Sequence, residues 1–128
     1  MKIQNLRLSL DQLTPLLLGG GLVAIYLATM APGLTWANYG SDGGDLVTAA
    51  ATGGVAHPTG YPVYLLMAQA FQLIPVGSLA YRTSLMSGLA AVSAAMLVYG
   101  SVTRFLSRTS KRSPRLTGLV AAVAFGLA

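Results

Sequence analysis

The chain has 128 residues, 54% of them hydrophobic and 9% charged, with a mean hydropathy of +0.64; ordinary soluble domains carry about 25% charged residues, so this is not one of them. The net charge of +5 rests on eight Lys and Arg against three acids, but Lys2, Arg7, Arg104, Arg108, Lys111, Arg112 and Arg115 all flank apolar segments, which speaks for membrane orientation and against nucleic acid as a partner. There is no cysteine, and therefore no disulfide, thiolate nucleophile or Cys-based metal site.

After a polar, mildly basic start, residues 13–31 form an apolar run of about the length that crosses ~30 Å of hydrocarbon, which predicts a first transmembrane helix. Pro15 falls in its first turn, and Pro32 with Gly33 ends it. A cleavable signal peptide competes with this reading, but the run is long for one and Pro32 is ill placed for a peptidase. Residues 33–60 are rich in Gly, Ala, Thr and Ser, with Trp36 and Tyr39 suited to headgroup level. Within them 45–52 predicts a short helix, with Asp42 as N-cap and Gly53-Gly54 as its stop. His57-Pro58-Thr59-Gly60-Tyr61-Pro62 predicts a rigid turn in which Gly60 takes a positive φ and Pro62 opens the next helix.

That next helix, 63–74, is broken by Gln69 and Gln72 and too short to span, so it reads as interfacial or re-entrant. A second span is predicted over 79–106, and a third, incomplete, from 116 onward; an apolar run that stops at Ala128 leads us to expect an N-terminal fragment of a longer protein. With two complete spans both basic ends lie in the cytoplasm, as the positive-inside rule requires, and 32–78 lies outside. Ser87, Ala91 and Ala95, and again Gly118, Ala122 and Gly126, present small residues at four-residue spacing, a pattern that lets helices pack closely.

The segment 40–62 gathers two of the three acids and the only histidine. Asp42 and Asp45, three apart, share one helix face, where they are either a capping pair or a reactive pair. Their place near a membrane boundary favours the second reading, because ionisable groups there are costly. His57 is either a turn residue held by Pro58 or a third member of an oxygen-rich site for a divalent metal such as Mg or Mn with Asp42 and Asp45. A closed zinc site lacks ligands. Arg82, at the outer start of the second span, is an interface anchor or a phosphate partner.

Beyond these physical signals, Thr29 to Pro32, Asp42-Gly43-Gly44-Asp45-Leu46, His57 through Tyr64 and Arg82-Thr83-Ser84-Leu85-Met86-Ser87 together resemble the N-terminal part of a bacterial family of large membrane proteins long known only as a domain of unknown function. That family is regarded as glycosyltransferases of the GT-C fold, related to protein O-mannosyltransferases. Its pattern runs Thr-x-x-Pro, Asp-Ser-Gly-Glu, His-Pro-Pro-Gly-Tyr-Pro and Arg-x-Asn-Leu-x-Ser; this chain departs from it at Gly43, Asp45, Thr59 and Ser84. Over residues 26–106 the resemblance implies a multi-helix enzyme that takes a sugar from a polyprenyl-phosphate donor to an acceptor on the non-cytoplasmic face. It implies an acidic residue in the first external loop as general base or metal ligand.

The expectation is thus an all-α, polytopic membrane protein, the first part of one membrane domain in the cell (inner) membrane with its N-terminus cytoplasmic. Asp42 is the favoured catalytic carboxylate and Asp45 the second, with His57, Tyr61 and Arg82 facing substrate. Its partners would be the bilayer, the lipid-linked donor and the remaining helices. The rivals are a transporter piece, which would carry acids within its spans, and a non-enzymatic assembly subunit.

Overall fold

A computed structural model of the chain describes residues 10–35, 42–109 and 113–128. The roles assigned above to Lys2, Arg7, Trp36, Tyr39, Lys111 and Arg112 lie outside the described residues. Among the described residues there are five helices and no strand: α1 (Leu10–Thr29), α2 (Gly43–Thr52), α3 (Pro62–Gln72), α4 (Leu79–Thr109) and α5 (Pro114–Gly126). The all-α expectation holds.

Most boundaries shift by a few residues, each for a local reason. α1 stops at Thr29 instead of running to residue 31, because Pro32 removes a donor and turns the residue before it away from helical geometry. α2 begins at Gly43, two residues ahead of expectation, with the Asp42 carbonyl accepting the Leu46 N–H at 2.9 Å. α3 starts at Pro62, where a missing N–H costs nothing. α4 runs past residue 106 to Thr109, where Ser107 Oγ donates to the Arg104 carbonyl at 2.8 Å and Thr109 Oγ1 to that of Phe105 at 2.9 Å. Of the described helices, α4 is long and apolar enough to cross a membrane; Leu13–Thr29 and Pro114–Gly126 are shorter apolar helices.

Contacts divide the chain into two compact units, Met1–Ile25 with Ala91–Ala128, and Tyr26–Ala90. In the first, Leu18, Leu22, Val92, Ala95, Tyr99 and Ala122 are buried. The small-residue face of α5 packs as its spacing predicts. A Cβ on Gly126 would meet Leu22 at 3.0 Å and Ala95 at 3.3 Å, and one on Gly118 would run into Thr103 Oγ1 and come within 3.1 Å of the Tyr99 carbonyl. Thr103 Oγ1 is buried there without a hydrogen-bond partner among the described residues.

In the second unit α2 packs on α3 around Ala49, Ala50, Ala56, Leu65, Ala68 and Met86, flanked by Leu46, Tyr64 and Phe71. Alanines at the contact let the two short helices approach closely. Gln72, read above as an interruption of an apolar helix, is buried on the Leu65 and Ala68 face of α3. Its Nε2 donates to the Val47 carbonyl at 3.2 Å and to Thr83 Oγ1 at 3.1 Å, tying α2, α3 and the start of α4 together. Tyr64 and Ser87 add a hydroxyl pair at 3.2 Å between α3 and α4. Ser87, from the small-residue stripe of α4, therefore serves a polar contact.

Candidate functional site

The site begins with how α2 ends. Its alanine run favours helix, and Gly53, in the left-handed region at φ 67°, stops it, with its own N–H and that of Gly54 directed to the Ala49 carbonyl. A ten-residue helix is about 15 Å long. Four extended residue steps, from Gly53 to His57, cover about 14 Å. The chain therefore returns along α2, held by the buried Ala56, and delivers His57 to the helix's N-terminal end, where both acids sit.

Asp45 Oδ2 accepts two bonds from His57, one from its backbone N–H at 2.9 Å and one from ring Nδ1 at 2.7 Å. That pairing places the proton on Nδ1 and turns Nε2 toward Asp42, whose Oδ1 lies 3.8 Å away. Asp42 is the most exposed of the three, with 62% of its side chain accessible against 46% for Asp45 and 38% for His57. It occupies the N-cap position but makes no side-chain cap hydrogen bond, because its backbone is helical (φ −53°, ψ −12°) where a capping residue is extended. Of the two roles open to the acids, the cap is thus unfilled by Asp42.

The His57 turn is closed by the Gly60 N–H to the His57 carbonyl at 2.8 Å, with Gly60 at φ 83° as expected. Tyr61 follows at φ 46°, a left-handed conformation that a residue with a side chain rarely adopts. Its ring stands edge-on to the imidazole, centroids 5.4 Å apart. Asp42, Asp45, His57 and Tyr61 therefore come together.

Arg82 is placed elsewhere. Its Nε donates to the Val76 carbonyl at 2.9 Å, Nη1 to that of Gln72 at 2.7 Å and Nη2 to that of Gly77 at 3.1 Å, so the guanidinium closes the C-terminal end of α3. Three of the five N–H donors of an arginine are thereby committed to main chain. Ser78, not singled out from the sequence, caps α4 by accepting the Tyr81 N–H at 3.1 Å while donating to the Pro32 carbonyl at 2.8 Å. The divalent-metal expectation for Asp42, Asp45 and His57 is not supported by this donor arrangement. Asp45 Oδ2 is shared by two N–H groups, and among the described residues no three such side chains are placed to hold an ion.

The electrostatics follow from the geometry. The His57 backbone N–H, and then its ring, hold the Asp45 carboxyl below the ordinary 3.8. The hydrogen bond to Asp45, and then the nearby charges of Asp42 and Asp45, hold His57 above the ordinary 6.5. The sign of the linkage is set by those directions. Asp45 contributes stability above its unfolded pKa and loses it as pH falls through the lowered value; His57 contributes below 6.5 and loses it as pH rises through the raised value. The pair thus supports the loop most between the two ordinary values. By NMR, the His57 ring should titrate above 6.5 in the intact protein and move back toward 6.5 in Asp45→Asn. An unchanged midpoint in that variant would refute the pairing.

The family model described as the Protein O-mannosyl-transferase TMEM260 N-terminal domain matches residues 42–128, which begin at Asp42. Mouse protein O-mannosyl-transferase TMEM260 is 48% identical over 66 residues, a stretch covering 51% of this chain and 9% of the length of the mouse protein. No solved structure matches significantly. With the family model covering well over half of its residues, the chain belongs to the TMEM260 N-terminal domain family of O-mannosyltransferase-like proteins.

Proposed function

We propose that this chain is the N-terminal part of one membrane domain of a GT-C-type glycosyltransferase that moves a sugar, mannose by analogy with the mouse relative's name, from a polyprenyl-phosphate donor to a hydroxyl acceptor on the non-cytoplasmic face. The observation that carries the reading is the row Asp45, His57, Asp42 at the N-terminal end of α2, in a chain of this family. A hydroxyl is a poor nucleophile unless a positioned base takes its proton as it attacks. Asp42, exposed and uncommitted to the cap, suits that base; the acceptor oxygen then bonds the sugar's anomeric carbon as the bond to the phosphate oxygen breaks and the phosphate departs with the electron pair. Asp45, with its basicity lowered by two N–H donors, suits positioning.

A second reading is favoured by one contact. Asp45 bonded to Nδ1 leaves Nε2 of His57, on the Asp42 side, as the nitrogen that can take a proton, the way an imidazole base is oriented by a carboxylate. In that case His57 takes the proton and Asp42 steadies the cation formed.

Membrane embedding is part of the proposal. α4 supports it, since only 22% of its most apolar stretch is buried, whereas the core helix of a soluble protein is mostly covered. The first and third apolar helices complete the polytopic reading, with α2 and α3 in an external loop and the basic ends cytoplasmic. Two measurements test this. The full-length protein in vesicles should transfer mannose from a polyprenyl-phosphate mannose to a Ser- or Thr-containing acceptor, and absence of transfer under conditions where the protein is folded counts against the assignment. A cysteine at Thr52 should react with an impermeant maleimide from the non-cytoplasmic side; labelling from the cytoplasmic side alone would overturn the topology.

A further inference from the structure

The geometry points to a phospholipid phosphate site at the C-terminal end of α4, formed by Arg104 and Arg108 with Phe105 between them. At 31 residues α4 is about 46 Å long, against a hydrocarbon layer of ~30 Å, so about ten residues are surplus to the crossing. The charge-free part of the helix runs from Thr83 to Thr103, so the larger share of the surplus, Arg104 to Thr109, lies at the C-terminal end, among headgroups. There Arg104 and Arg108, four apart, share one helix face and line a single cleft with Phe105, which is 67% exposed.

Both arginines are exposed, and among the described residues neither forms an ion pair. The acids of the chain are Asp11, in the first turn of α1, and Asp42 and Asp45; none follows Asp45. Among the described residues neither guanidinium bonds the helix end, where the Ser107 and Thr109 hydroxyls donate to the Arg104 and Phe105 carbonyls. What remains is an outward pair of forks with an aromatic ring at the bilayer surface, complementary to a phosphodiester anion.

Orientation by the positive-inside rule needs only charge and is indifferent to Arg or Lys. Yet four of the five cations from Arg104 to Arg115 are Arg. A guanidinium grips phosphate through two parallel bonds where an ammonium is a point charge, so the two arginines suit a phosphate better than lysines would.

The inference rests on α4 crossing the bilayer, and is independent of the transferase reading. Its test uses the full-length protein in neutral detergent, following the thermal midpoint on adding dioleoylphosphatidylglycerol, dioleoylphosphatidylcholine or soluble glycerol phosphate. Phosphatidylglycerol should raise the midpoint, and phosphatidylcholine and glycerol phosphate should raise it little. In Arg104→Lys/Arg108→Lys, which keeps charge and orientation, the phosphatidylglycerol concentration for half the effect should rise about tenfold. Equal response to phosphatidylcholine, equal response to glycerol phosphate, or a Lys variant that behaves as wild type would each overturn the proposal. Alkaline carbonate extraction separates the two levels. Retention of both proteins in the membrane is expected, whereas release of the wild type would sink the membrane reading and the lipid site together.

Discussion

Asp42→Asn lowers sugar transfer by the full-length protein about 10²-fold or more while leaving its thermal midpoint unchanged, if Asp42 is the base. The amide keeps the size of the side chain and removes its proton affinity. Asp42→Ala should be as inactive and nearly as stable, because the side chain makes no cap hydrogen bond whose loss would cost the roughly 1 kcal/mol usual at an N-cap. A capping residue would behave otherwise, with a silent Asn variant and a destabilised Ala variant. His57→Gln separates the two catalytic readings. It should reduce transfer less than Asp42→Asn if the imidazole only shapes the site, and more if Nε2 is the base. Full activity in Asp42→Asn with inactive His57→Gln would transfer the role to His57; full activity in both would end the assignment of catalysis to this row.

Arg82→Ala destabilises the protein by about 2–3 kcal/mol, because three charge-assisted bonds to the carbonyls of Gln72, Val76 and Gly77 are lost and the turn between α3 and α4 loses its closure. Arg82→Lys should recover less than half of that, since one ammonium on a flexible stem cannot reproduce a planar fork bonded through three nitrogens. Chemical or thermal unfolding in detergent measures both. The phosphate-partner role considered from the sequence predicts a different pattern, with transfer lost in either variant and stability intact. A thermal midpoint unchanged in Arg82→Ala would therefore return Arg82 to the substrate.

Several features are legible in the sequence because they depend on neighbours along the chain. Pro32, Gly53, Pro62 and the positive φ at Gly60 follow from backbone chemistry that acts within a residue or two, and each falls where the punctuation indicates. The packing face Gly118, Ala122, Gly126 was readable for the same reason, since helical spacing alone puts the three on one side and the absence of bulk makes that side the close one. The resemblance carried by residues 26–106 overlaps the stretch that the family model matches. Helix bounds were misjudged by two or three residues at Thr29, two ahead of the expected stop before Pro32, at Gly43, where α2 starts early, and at Thr109, where the Ser107 and Thr109 hydroxyls bond the last turn of α4.

Contacts between residues far apart in the chain were not legible. Gln72 is a polar letter in an apolar helix until Val47, 25 residues away, and Thr83, 11 away, give its amide acceptors, and only then does burying it become affordable. Arg82 carries the same charge whether it meets phosphate, water or three carbonyls. The local pattern alone established that two carboxylates share a face of a short helix and that one histidine follows in a turn. Which carboxylate holds the imidazole, and which is left exposed beside its other nitrogen, was decided by tertiary structure. Local helix geometry gives neither Asp42 at the N-cap nor Asp45 in the first turn a partner twelve or more residues away, and the return of the chain from Gly53 past the buried Ala56 brings His57 in on the Asp45 side.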